Sequence, residues 1–316
     1  MSSFNVAAYL DSLPEDTEVI SLERKNIEVL PDLDRFHNLS KLFIGNNKLS
    51  FLPNLPSTLF ELHCQSNQLT SLPQLPPNLR ELRCYDNELV ELPELPYTLT
   101  RLCCNDNLLT HLPTMPPILD YLNCEYNDLT VLPELPYGLR ELLVATNLLT
   151  TLPELPQTVI NISCEYNSLT HLPELPGSLR YLYCYDNQLT RLPALPKSLC
   201  GLTCHKNDLS IIPLFNPHLT YLRFDQNPIM DLLPRNYGGN IREDQRSINN
   251  ILSQLKVLHR FRHLFWSLKL KTAFRRILWE RIRLPKIQEA YHPSILENIL
   301  ENIEDEEEVD DVLQNW

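Results

Sequence analysis

Asparagine stands at Asn47, Asn67, Asn87, Asn107, Asn127, Asn147, Asn167, Asn187, Asn207 and Asn227, a spacing of twenty residues that never slips. Five residues before each Asn is a leucine, or Ile162 in one unit, and two residues after it is a leucine again, or Ile229 in the last. A fixed period of this length specifies a solenoid, in which each turn closes only against its neighbours. A looser first unit begins at Ile20, runs for 22 residues and carries Lys25 where the Asn column would fall, which makes eleven units with the last one partial.

The unit reads x-L-x-C-x-x-N-x-L-T-x-L-P-x-L-P-x-x-L-x. In x-L-x-C-x the apolar residues alternate with period two, the pattern of a short strand with one buried face. Proline then takes over: the chain has 26 prolines and only 6 glycines, and prolines, which donate no backbone hydrogen bond and hold φ near −65°, predict an extended, polyproline II return segment. The repeated Asn is expected to turn the chain inward while its amide satisfies backbone groups of its own and adjacent turns.

This unit resembles the leucine-rich repeat. Its short LPxLP form, written in full in seven units such as Leu92 to Pro96 and Leu132 to Pro136, is similar to the repeats of bacterial secreted effectors of the YopM and IpaH type. The resemblance covers roughly Ile20 to Leu233. It implies an α/β solenoid: a leucine-rich-repeat horseshoe with a concave parallel β-sheet, a polyproline II or extended convex side, and here a helical C-terminal extension. It also implies a non-catalytic scaffold that binds a protein on the concave face. IpaH-like relatives carry a ubiquitin-ligase domain with a catalytic cysteine after their repeats. Only 76 residues follow Asn240 here, and the last cysteine, Cys204, lies inside the repeats, so that nucleophile is missing.

Other chemistry finds little support. No glycine sits in a phosphate-cradling arrangement. Seven of the nine cysteines, Cys64, Cys84, Cys104, Cys124, Cys164, Cys184 and Cys204, occupy one inward position shared with Ile44, Val144 and Phe224, which identifies packing as their role. Parallel thiols about 4.8 Å apart along a line cannot converge on one metal ion, so no metal or cofactor is expected. Cys103, outward beside Cys104, is expected to be the most reactive thiol. His259 and His263 have the spacing of a zinc pair but no intervening Glu and cationic flanks, which reads as a solvated helix face. His111 and His171 fall at a variable, exposed position. No paired acids or Ser-His-Asp arrangement stand out, so neither an enzyme nor a small-molecule substrate is expected.

Three outward columns flank the strand leucines and vary where the core does not. Tyr181, Tyr183 and Tyr185 leave one strand on the same side, with Tyr221 two turns on and His205 and Arg223 beside them. Tyr and Arg are enriched in binding hot spots, and aromatic residues also suit a strand surface for packing alone; both readings stand. The candidate partner-binding residues are these six with Tyr121, and Glu125, Glu141 and Glu165, whose acidity suits a partly basic partner.

The expected organisation is an N-terminal helical cap at 1–19, repeats at 20–235, a linker at 236–240, a basic helical extension at 241–296 and an acidic tail at 297–316. Between Gln254 and Lys286 ten Lys or Arg face one acid, and from Ile287 to Trp316 there are ten acids and no base. The basic aromatic stretch reads either as a cap on the last repeat or as a tether to anionic membrane, a calmodulin-like groove or nucleic acid. The extension is also where an adaptor function or an unrecognised enzyme would reside. Its string from Leu278 to Ile287, followed by Tyr291, His292 and Pro293, resembles a tail element of uncharacterised proteins from giant DNA viruses of the mimivirus kind. The net charge of −13 disfavours nucleic acid and anionic lipid for the molecule as a whole. The N-terminal residues show no secretory leader, and nine cysteines without one suit a reducing, cytoplasmic setting, in a host cell if the chain is viral.

Overall fold

The computed structural model describes residues 4–211, 213, 215 and 218–232, the side chains of 231 and 232 excepted. The linker, the basic extension with His259 and His263, the acidic tail, and therefore the cap, tether and adaptor readings, lie outside the described residues.

One short helix precedes the repeats: α1, Val6–Asp11, is capped by the Asn5 side chain, which accepts from the Ala8 N–H at 3.0 Å. Arg35 ties it to the first turn by donating to the Leu10 carbonyl and lying 3.5 Å from Asp11. Eleven three-residue strands follow: β1 Val19–Ser21, β2 Lys41–Phe43, β3 Glu61–His63, β4 Glu81–Arg83, β5 Arg101–Cys103, β6 Tyr121–Asn123, β7 Glu141–Leu143, β8 Asn161–Ser163, β9 Tyr181–Tyr183, β10 Gly201–Thr203 and β11 Tyr221–Arg223. They form one parallel sheet in sequence order. The register sets each strand leucine beside the next, Leu42 on Leu62 and Leu62 on Leu82, so the twenty-residue period in the sequence is the pairing register itself. Successive turns make a parallel-sheet solenoid, and a short 3-10 helix, Pro228–Leu232, follows β11.

The core is built from columns. The strand leucines up to Leu202, the leucines two residues after each Asn, and Ile44, Val144 and the seven columnar cysteines are buried, while Leu222 in β11 is half-buried. Each fully buried leucine contributes about 1.5 to 3 kcal/mol relative to exposure. Burial pushes the thiols of Cys64 and Cys204 up to about 12, which keeps them protonated and apolar. Phe224 departs from its column by being only half-buried at the last strand, where its ring lies 5.8 Å from that of Phe215.

The Asn column closes each turn. Asn67 Oδ1 accepts from the Leu49 N–H at 3.0 Å in the preceding turn, and its Nδ2 lies 3.1 Å from the Ile44 carbonyl of that turn and 3.0 and 3.2 Å from the carbonyls of Cys64 and Gln65 in its own. The same pattern repeats to Asn227. Such pairing satisfies backbone groups that a narrow solenoid would otherwise bury alone. The residue before each Asn is left-handed throughout, with φ between 52° and 57° from Asn46 to Gln226. That column holds Asp, Ser, Asn, Thr, Tyr, Lys and Gln, so its demand is on the backbone and no residue type announces it.

The LPxLP segments form neither helix nor strand; one isolated bridge, Arg191 to Ile211, lies just ahead of the last of them. Each ends in a tight turn in which the second proline's carbonyl accepts from the N–H three residues on, as Pro56 from Leu59 at 3.1 Å and Pro136 from Leu139 at 3.1 Å. A second ladder, not anticipated from the sequence, runs beside it: Thr58, Thr98, Thr158, Ser178 and Ser198 donate their hydroxyls to carbonyls of the turn before, at 2.6 to 2.9 Å.

Candidate binding face of the sheet

Strand side chains alternate, so with the leucines inward the first and third residues of every strand stand on the outer face. Over β2 to β4 this face satisfies its own charges. Lys41 Nζ lies 2.7 Å from Glu61, and Arg83 reaches Glu81 at 2.6 Å. His63, its basicity lowered by burial, sits 3.1 Å from Glu61 and 4.7 Å, ring to ring, from Phe43. Ligand atoms of Glu61, His63 and Glu81 lie within 4.8 Å of one another, a clustering the sequence reading did not single out. Lys41 and Arg83 already neutralise both carboxylates.

The middle of the face holds a shallow concavity of about 340 Å³ lined by Arg83, Tyr85, Arg101, Cys103, Tyr121 and Asn123. Arg101 lies over the Tyr121 ring at 4.6 Å, an intramolecular cation–π contact that occupies both. Tyr121 is thus separated from the main tyrosine cluster. Cys103 is half-buried and burial raises its thiol, while Cys200, not singled out from the sequence, is also half-buried.

The larger concavity, about 640 Å³, spans β8 to β11. Tyr183, Tyr185, Tyr221, Arg223, His205 and Glu165 all line it, so the structure brings together six of the ten residues chosen from the sequence. Asn161, Ser163, Thr203, Tyr166 and Lys206 join them. Ser163 and Thr203 lay in the outward columns but carried no distinguishing chemistry; Tyr166 and Lys206 come from the left-handed column, whose direction only the backbone reveals. Tyr181 stands at the rim, 43% exposed, with its ring over Gly201, where a Cβ would come within 2.8 Å of Cδ1. Glycine at 201 makes room for that ring.

One expectation is corrected here. The outward column that runs from Gln65 through Glu125 and Tyr185 to Asp225 was expected to be open to solvent, yet Gln65, Ala145 and His205 within it are buried. The chain there is already bending toward the Asn turn, and side chains of adjacent turns close over it. His205 in particular is 5% exposed and stacks on Tyr185 at 4.4 Å and 12°, so it forms the floor of the concavity and offers little surface of its own. Tyr166 completes the wall, edge-on to Tyr185 at 5.1 Å.

The acids divide by partner. Asp225 is bound to Arg223 at 2.9 Å and Asp186 to Lys206 at 2.9 Å. Glu125 and Glu165 have no cation within ion-pair distance among the described residues, and instead share one hydroxyl: Ser163 Oγ lies 2.8 Å from Glu125 and 3.0 Å from Glu165. Glu125 reaches across β7 to do this because Ala145, between them in the column, has no side chain long enough to block it. Burial is the main cause of a raised Glu165 carboxyl, opposed by its hydrogen bonds and reinforced by Glu125. Glu141 lies one strand away and does not line the concavity.

No protein-family model matches the sequence, and neither does any curated protein. Solved structures do. YopM from Yersinia enterocolitica WA-314 is 32% identical with a TM-score of 0.59, over 69% of this chain and 57% of that one. YopM from Yersinia pestis, described as a leucine-rich effector protein, is 33% identical with a TM-score of 0.61, over 68% of each chain. A chain of the octameric complex of Latrophilin 3, Unc5D and FLRT2, the last contributing leucine-rich repeats, is 26% identical with a TM-score of 0.52, over 64% of this chain and 72% of that one.

Proposed function

Because the chain belongs to the leucine-rich repeat proteins, we propose that it is a non-catalytic scaffold whose protein partner docks on the outer sheet face over β8 to β11. The observation that carries this reading is the concavity itself: four tyrosines and an imidazole converge there, beside two carboxylates that have no cationic partner among the described residues, whereas the face over β2 to β4 pairs its charges internally. Tyrosines with one wet edge and a rigid ring are the side chains from which interface anchors are made. Leucine-rich repeats in the Latrophilin 3, Unc5D and FLRT2 complex sit in a protein assembly, which supports a protein rather than a small molecule as ligand.

The likeness to an effector protein supports a role on a host-cell partner, and the buried, protonated thiol column supports a reducing, cytoplasmic setting. The test is affinity capture with cross-linking using the full chain, repeated with Tyr181, Tyr183 and Tyr185 all changed to Ala. Losing a true anchor tyrosine costs 2 kcal/mol or more, about thirtyfold in affinity, so the captured protein should disappear from the variant while its circular dichroism stays that of the parent. Undiminished capture by a folded triple variant sinks the assignment of this face.

A further inference from the structure

The concavity has an unmet requirement for hydrogen-bond donors and positive charge. A serine hydroxyl carries a single proton, yet Ser163, itself 6% exposed, touches both Glu125 and Glu165. If both carboxylates are ionised, one of those contacts sets two acceptors against each other. Nearby, Thr203 and His205 are 4% and 5% exposed and line the concavity, and Thr203 Oγ1 and His205 Nδ1 have no hydrogen-bond partner among the described residues; Asn161 Oδ1 is in the same position. Burying polar atoms unpaired costs about 1 to 3 kcal/mol each, so a site that keeps several is shaped for something that supplies donors.

The cations already present do not answer this. Lys206 and Arg223 line the same concavity, but each is held by its own aspartate at 2.9 Å. An anionic ligand would meet two neutralised cations and two unneutralised carboxylates. A cationic ligand meets the carboxylates, the unpartnered acceptors and the faces of Tyr183, Tyr185 and Tyr221 together.

Building on the docking face argued above, we propose that this concavity is a receptor for an arginine side chain presented by the partner protein, the guanidinium lying between the Glu125–Glu165 pair and the tyrosine wall. Arginine fits better than lysine on two counts. The guanidinium has five N–H donors in a plane, which suits acceptors distributed along Asn161, Ser163, Thr203 and His205, whereas an ammonium has three on a point. Its flat face stacks on aromatic rings, and the rings here are ready for it: Tyr185 already lies flat on His205 at 12°. His205, whose basicity is lowered first by burial and then by Arg223, stays neutral and keeps one ring nitrogen as an acceptor.

The full-length protein is titrated with Nα-acetyl-arginine N-methylamide, and the His205 and tyrosine ring resonances are followed by NMR. The citrulline analogue, of the same shape without charge, and the lysine analogue are run beside it. Saturable shifts with arginine, weaker by about tenfold for citrulline and for the Glu165→Gln protein, and weaker for Thr203→Val, are the expected result. Lysine binding as well as arginine overturns the guanidinium assignment. Equal response to arginine and citrulline, an unchanged response in a Glu165→Gln protein that melts no lower than the parent, equal shifts around Glu61 and Glu81, or no binding at all each overturn the receptor. If the amino-acid titration fails while the triple tyrosine variant loses its captured protein, the docking face survives and only the arginine pocket is rejected.

Discussion

At the scale of single residues the solenoid depends on groups that have no freedom to differ. Asn127 accepts from the Leu109 N–H at 3.0 Å and directs its Nδ2 at the carbonyls of Cys104, Cys124 and Glu125, all within 3.2 Å. Asn127→Ala should therefore cost about 1 to 3 kcal/mol in urea unfolding. Asn127→Asp should cost more at neutral pH, because it aims a carboxylate oxygen at three carbonyls. An aspartate variant more stable than the alanine one would refute the donor role of Nδ2. Thr146 presents the opposite case. Its φ of 53° is a poor conformation for a β-branched residue, and asparagine tolerates it far better. Thr146→Asn should raise the melting temperature by a few degrees, equivalent to about 1 kcal/mol; a drop would show that the threonine side chain makes contacts worth more than its strain.

Among the elements, β8 and the residues after it combine a stability cost with a place in the lining of the larger concavity. Burial raises the Glu165 carboxyl above its ordinary 4.5, so the folded chain holds that proton more tightly than the unfolded chain. The stability this contributes is complete below the ordinary value and lost as pH rises through the raised one. Glu165→Gln should accordingly melt higher than the parent at neutral pH, with the gap closing below pH 4.5; a gap that does not change with pH would contradict it. The thiols give a second check on the same elements. Native alkylation should modify half-buried Cys103 and Cys200 well before buried Cys124 or Cys164, and equal rates would mean the columns open readily. How far these features could be read from the sequence follows from what each depends on. The Leu, Cys and Asn columns repeat by residue type, so strands, register and core were readable directly. The left-handed column was not, since seven residue types satisfy one backbone demand. Nor was the burial of His205, or Glu125 reaching Ser163, because both depend on which side chains adjacent turns place alongside, Tyr185 in one case and the short Ala145 in the other.

For the repeat array as a whole, cohesion comes from consecutive turns: each strand pairs only with the strands before and after it, and each Asn side chain binds its own turn and the preceding one while its backbone N–H reaches the next. Removing residues 121–140 should leave a folded protein in which Leu142 takes the place of Leu122 beside Leu102. Its urea m value should fall by roughly one part in eleven, as the surface buried falls with the number of turns. Removing half that length should instead split the array at the cut, because the Asn of the junction turn would face the wrong carbonyl while the turns on either side keep their own pairing, so that two unfolding transitions replace one. The constant pairing register also has a genetic meaning. One turn is a whole number of codons, so unequal exchange between two copies of the repeat adds or deletes a turn without disturbing reading frame or hydrogen bonding. A lineage carrying such a gene can change the length of its outer sheet face in single recombination events, and an exchange among the turns before β6 leaves the concavity over β8 to β11 intact.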